Sequence, residues 1–135
     1  MDLSASMRIA ASGMKAQSAR MRVVSENLAN AESTAEAPGG EGYRRKTLTF
    51  KGELDRETQA ELVEVRRYDV DKSPMDRRFE PNHPAADGEG YVLYPNVNPL
   101  VELMDMREAQ RSYEANLSAM QQARSMLQKL IDVLR

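Results

Sequence analysis

Apolar and small side chains recur at steps of four and three along the first part of the chain: Leu3, Met7, Ala10, Met14, Gln17, Met21, Val24, Leu28 and Ala31. That spacing predicts a helix over residues 3–31 whose buried stripe is a heptad seam. Gln17 is its one polar member. Ser4 or Asp2 can cap the start, and Asn30 with Ser33 and Thr34 suits the end. At ~1.5 Å per residue such a helix is roughly 40 Å long. A second seam runs through Leu103, Met106, Gln110, Tyr113, Leu117, Met120, Arg124, Leu127, Ile131 and Leu134, and neither Gly nor Pro interrupts residues 100–135. Asn98 followed by Pro99 predicts its start, because Asn accepts a bond from a free first-turn amide and Pro there loses no needed donor. Glu102 and Asp105 sit near the positive pole of this helix, and Lys129 and Arg135 near the negative one. Its length is roughly 50 Å.

Between the arms the pattern changes. All six prolines and six of the seven glycines fall between residues 38 and 99, so that stretch cannot be continuously helical. Residues 35–42 (AEAPGGEG) read as a flexible link. Tyr43–Phe50 and Leu62–Val70 read as short strands, with Lys51–Ala60 a polar connection between them. The proline-containing segment 71–98 is expected to run extended over other elements and not to fold separately. The predicted class is therefore mainly α: two long terminal helices pairing as a coiled-coil-like hairpin, with a small β-hairpin and an extended segment inserted. The expected division is a helical domain of residues 1–34 and 99–135 and an insertion of residues 35–98.

Composition narrows the function. The 135 residues favour one domain or one elongated subunit. A net charge of −2 gives no electrostatic reason to expect nucleic acid or an anionic membrane as the main partner. With no cysteine there is no disulfide framework, cysteine-ligated metal or thiol nucleophile. No apolar run has the length of a signal-peptide core or a membrane span.

Candidate chemistry is thin. Asp69, Asp71, Ser73 and Glu80 match positions 1, 3, 5 and 12 of a calcium loop, but Pro74 stands where the turn needs glycine. His83, the single histidine, could join Asp87 and Glu89 on a metal, yet it lies between prolines. Gly39, Gly40 and Gly42 lack the Lys-Ser/Thr of a phosphate loop. The basic clusters Arg44–Lys46, Arg66–Arg67 and Arg77–Arg78 have acids close by, which suits a solvated face or acidic patches on a neighbouring subunit equally. No nucleophile–base pair is discernible, and no catalytic residue, cofactor or metal is expected.

What remains is geometry. Two long helices side by side enclose little interior for their length, and small residues (Ala5, Ala10, Ala11, Ser12, Gly13, Ala16) cover further sides of the first. Such a surface suits close approach to other helices. The seams therefore point to subunit contacts through Leu3, Met7, Met14, Met21, Val24, Leu28, Leu103, Met106, Tyr113, Leu117, Met120, Leu127, Ile131 and Leu134.

The segments Ala11–Gln17 (ASGMKAQ) and Ser25–Ala31 (SENLANA), with Ser25, Glu26, Asn27 and Asn30, resemble the amino-terminal signature of the bacterial flagellar rod and hook family. Pro81–Pro84, Asp87, Gly90–Val92, then Tyr94, Pro95, Asn96 and Asn98 are similar to its proximal-rod branch. Glu102, Met106, Ala109, Arg111, Tyr113, Glu114 and Asn116 extend the likeness into the last helix. The resemblance implies a non-enzymatic rod subunit that polymerises through its terminal helices into the drive shaft. It implies export through the flagellar type III apparatus without a cleaved signal peptide, and a periplasmic location in the basal body. The implied partners are itself, other rod proteins, and the membrane-ring and rod-adaptor proteins at the rod base, with no nucleic acid and no membrane insertion. A non-polymerising cytosolic helical-hairpin adaptor or export chaperone is the alternative reading.

Overall fold

The computed structural model describes residues 2–135. Helix α1 spans Leu3–Ala29 and helix α2 spans Pro99–Val133. Asp2 caps α1, its carboxylate accepting from the amides of Ser4 (2.9 Å) and Ala5 (3.2 Å). Asn98 caps α2 through the Leu100 amide at 3.1 Å, with Pro99 in the first turn. Both starts are those the sequence predicts.

The helices run antiparallel, because Arg20 faces Asp105 and Asn27 faces Glu102 near one end while Gly13 lies against Asn116 further along. Gly13 explains a residue that otherwise costs about 1 kcal/mol in a helix interior. A Cβ there would stand 2.7 Å from the Asn116 side-chain nitrogen. The missing side chain lets the helices approach.

The insertion carries more strand than expected. Strands β1 (Lys46–Asp55) and β2 (Ala60–Val70) form an antiparallel hairpin. The expected polar connection Lys51–Ala60 is therefore largely strand, and the turn is only residues 56–59. Its polar residues fit because most side chains along residues 51–54 and 61–70 stay in water, so pairing here does not demand apolar alternation on both faces. Asp55 holds the turn by accepting from Thr58 Oγ1 at 2.7 Å, and Gln59 adopts φ 53°. A register shift between Thr49 and Phe50 gives β2 one extra residue, which bends the hairpin as a bulge does.

A second correction concerns residues 71–98. Strands β3 (Asp76–Phe79) and β4 (Tyr91–Tyr94) pair antiparallel instead of merely running extended. Their connection folds over a small core of Ala85, Val92 and Tyr94, with Ala35 and Ala86 against it. The prolines lie outside both strands, so none removes a ladder hydrogen bond. The 35–42 link is also tied down: Gly39 N–H donates to Ala85 O at 3.1 Å and Tyr43 N–H to Ser33 O at 3.0 Å.

Helix α1 is the middle layer. One side of it meets α2 and another meets the hairpin, while α2 packs on α1 and on no other helix or strand. The hairpin lies along α1, with Arg8 paired to Asp55 at 3.0 Å and Glu57 at 2.6 Å near its tip, and Ser12 Oγ accepting from Val63 N–H at 3.2 Å.

Candidate functional site

The helical pair carries a polar junction at one end and exposed apolar side chains towards the two ends of α2. The junction begins with Asn27, which is 1% exposed, and Glu102, which is wholly buried. Asn27 uses its full side-chain capacity. Its Oδ1 accepts from the Lys46 amide (2.9 Å) and the Tyr43 hydroxyl (2.6 Å). Its Nδ2 donates to Lys46 O (2.9 Å) and Glu102 Oε2 (3.2 Å). Arg45 Nε donates to the other Glu102 oxygen, and its guanidinium also faces Asp71 (3.6 Å) and Asp105 (3.7 Å).

These groups belong to both helices and to the entry into β1, so the junction sets how the insertion leaves the helical pair. Asn96 extends it: Oδ1 accepts from the Arg45 amide at 2.8 Å, and Nδ2 donates to Asp71 O and Ser73 O at 3.1 and 3.2 Å. Burial lowers the Arg45 guanidinium, but Glu102, Asp71 and Asp105 more than offset this and hold it above its ordinary value. Burial, reinforced by the Glu26 and Glu102 charges, pushes the Tyr43 phenol up to about 12. Hydrogen bonds from Ser73 hold Asp71 below the usual carboxylate range.

The seam residues fall into three groups. Val24 is buried, while Leu3, Met7, Met14, Met21, Leu28, Met106, Tyr113, Leu117 and Met120 are half-buried within the pair. Leu103, Leu127, Ile131 and Leu134 are exposed. The side α2 buries is centred on Glu102, Ala109 and Ala123, rotated from the apolar line read along the sequence. Gln17 Oε1 is buried with no hydrogen-bond partner among the described residues.

The motif residues divide similarly. Asn27, Asn96 and Asn98 make the junction and the α2 cap. Glu26 pairs with Lys46. Asn30 donates to Glu26 O at 2.9 Å at the end of α1. Tyr94 donates to Glu80 at 3.0 Å, and Pro95 is buried next to it. Asn116 donates to Ser112 O at 3.0 Å, whereas Ser25 and Glu114 are exposed.

The candidate calcium set is dispersed into other work: Asp71 binds Ser73, Asp69 pairs with Arg67 at 3.4 Å, and Glu80 accepts from Tyr94. His83 Nδ1 accepts from the Ala85 amide at 3.0 Å, while Asp87 accepts from the Glu89 and Tyr91 amides. Most of the basic clusters are spent inside the chain, Arg44 on Glu41, Arg77 on Glu89 and Arg78 on Asp76. The sequence places Glu102 at a helix pole and in the family likeness, Arg45 in a basic cluster and Tyr43 in a strand, but does not bring the three together at a junction. The available signal was the spacing Glu102, Met106, Ala109, Tyr113, which puts the carboxylate on the packed side of α2.

Known families match the sequence of both arms. Residues 7–35 match the family described as "Flagella basal body rod protein", and residues 89–133 match "Flagellar basal body rod FlgEFG protein C-terminal". The chain belongs to the flagellar basal-body rod protein family, as a structural subunit of the rod. Its full-length relatives carry the name flagellar basal-body rod protein FlgC. One from Agrobacterium fabrum is 50% identical over 133 residues, covering 98% of this chain and 96% of the relative. One from Bacillus subtilis is 39% identical, covering 95% of each chain. One from Salmonella typhimurium is 36% identical, covering 91% of each.

Proposed function

We propose that this subunit polymerises through its two terminal helices, so that part of each apolar stripe is completed by neighbouring subunits of the drive shaft. The observation carrying this reading is that, among the described helices and strands, α2 packs only on α1, while Leu127, Ile131 and Leu134 stay in water. Burying apolar surface is worth roughly 25 cal/mol per Å², which gives assembly a driving force. Contacts between unlike surfaces build an open array, and close packing limits the twist each subunit takes up under torque.

In this reading the helical domain is residues 1–34 and 99–135, and residues 35–98 brace against neighbours on the outside. The chain works without catalysis. It reaches the periplasmic rod through the flagellar type III apparatus, and it meets other rod proteins and the ring and adaptor proteins at the rod base. No described helix is long and apolar enough to cross a membrane.

Leu28→Asp and Leu117→Asp test the reading. Each places a charge in the half-buried helical pair, and each variant is expected to be exported but absent from isolated rods. Normal motility with both variants would overturn it.

A further inference from the structure

Every charged side chain of α1 but two is paired inside the chain. Arg8 meets Asp55 and Glu57, Arg20 meets Asp105 at 3.4 Å, and Glu26 meets Lys46. Lys15 and Arg22 have no acid partner among the described residues, and both are exposed. They line one groove of about 650 Å³ between α1 and β2. Lys15, Ser18 and Arg22 stand on its helical wall, and Val63, Val65 and Tyr68 on its strand wall. Val63 and Tyr68 are 38% and 61% exposed, so the strand wall has contact surface to give. Glu64 is the one acid in the lining, and it lies 3.9 Å from Lys51 instead.

The pattern along the helical wall selects the occupant. Arg8, Ala11, Lys15, Ser18, Arg22 and Ser25 are all exposed and follow one another at steps of three and four. That is a second heptad line on α1, separate from the one turned to α2, with a cation at every seventh place and a small side chain between. Small side chains let another helix approach closely. Cations seven residues apart, roughly 10 Å along the axis, are matched by carboxylates at the same interval. Covering Lys15 and Arg22 with an uncharged surface would strip their hydration without compensation, so the partner is anionic. A second copy of this chain does not supply it. Glu26 is the only acid of α1, and the acids of α2 (Glu102, Asp105, Glu108, Glu114 and Asp132) include no two separated by seven.

We propose that this groove seats a helix of a different protein, one that carries two carboxylates seven residues apart beside an apolar stripe. The carboxylates pair with Lys15 and Arg22, and the stripe packs on Ser18, Val63 and Val65. This goes beyond polymerisation through the apolar seams, because it joins unlike proteins through a separate line of α1.

A photo-cross-linking residue at Ala11 or Ser18 of the full-length chain, made as the only copy in flagellated cells, tests the contact. Mass spectrometry of the joined peptides reads the neighbour directly. The expected product links either position to a helical segment of another protein with Asp or Glu seven residues apart. Lys15→Glu with Arg22→Glu is expected to lower its yield about tenfold, and exchanging the two partner acids for Lys to restore it. That restoration separates a lost contact from a lost fold. Products with a second copy of this chain, with a segment lacking the paired acids, with lipid, or no product from either position would each overturn the proposal. So would an unchanged yield after charge reversal, or a loss that the reciprocal exchange leaves in place. Motility of the same cells reports the polymerising reading separately.

Discussion

Asn27 donates to Glu102 across 3.2 Å, and through that bond the last turns of α1 meet the first turn of α2 in a pocket closed to water. Every polar atom of the Asn27 amide is engaged, two of its four bonds going to the backbone of Lys46 at the entry to β1. The junction therefore joins the helical pair to the insertion.

Asn27→Ala leaves the Lys46 amide and carbonyl and the Tyr43 hydroxyl short of a partner. Unpaired buried polar groups cost about 1–3 kcal/mol each, with some recovery through water, so the expected loss is about 3 kcal/mol. Urea denaturation followed by circular dichroism measures it. A loss under 1 kcal/mol would show that the junction is not a stability element.

Gln17→Met is expected to stabilise the chain by about 1 kcal/mol, since it removes a buried acceptor with no described partner and keeps similar volume. The midpoint of the same denaturation curve reports it. A lower midpoint would mean that the Gln17 oxygen is satisfied.

Gly42→Ala is expected to destabilise by about 1–3 kcal/mol. A Cβ at Gly42 would fall inside contact distance of Ser33 O and the Thr34 backbone, neither of which is the end of a flexible side chain. Thermal unfolding checks it, and an unchanged midpoint would count against the tight crossing of the link over the end of α1.

The pH dependence has two arms. Tyr43 has a phenol raised from 10.0 to about 12, so the fold binds its proton more tightly than the unfolded chain does. Its contribution is complete below about pH 10 and is lost as pH rises towards 12. Asp71 has the opposite sign: its lowered value contributes above the ordinary carboxylate range and is lost as pH falls through the folded value. Tyr43→Phe should flatten the alkaline arm of a stability–pH curve, and Asp71→Asn the acidic one. Unchanged arms in these variants would remove the assignments.

Much of this architecture was legible in the sequence because helix signals are local. Asp2, Asn98 and Pro99 act within one turn of themselves, and steps of three and four report a helix whatever surrounds it. The β insertion was less legible. Residues 51–60 are polar, and a hairpin with most of its side chains in water requires no alternation, so only cross-strand pairing reveals β1 and β2 at full length. The short pair β3 and β4 was hidden for a related reason: Val92 and Tyr94 find their core in Ala85, seven and nine residues earlier in the chain.

By itself, the sequence determined two helices, their caps, the place of the insertion and the absence of disulfide chemistry, since each follows from spacing or composition. Tertiary structure alone decided which side of α2 is buried, that Glu102 and Arg45 complete the Asn27 network, and that exposed apolar side chains on α2 gather at its ends. The reason is physical. A helical stripe states that a side is apolar, but how far α1 runs alongside α2 decides where along that side a neighbour is missing.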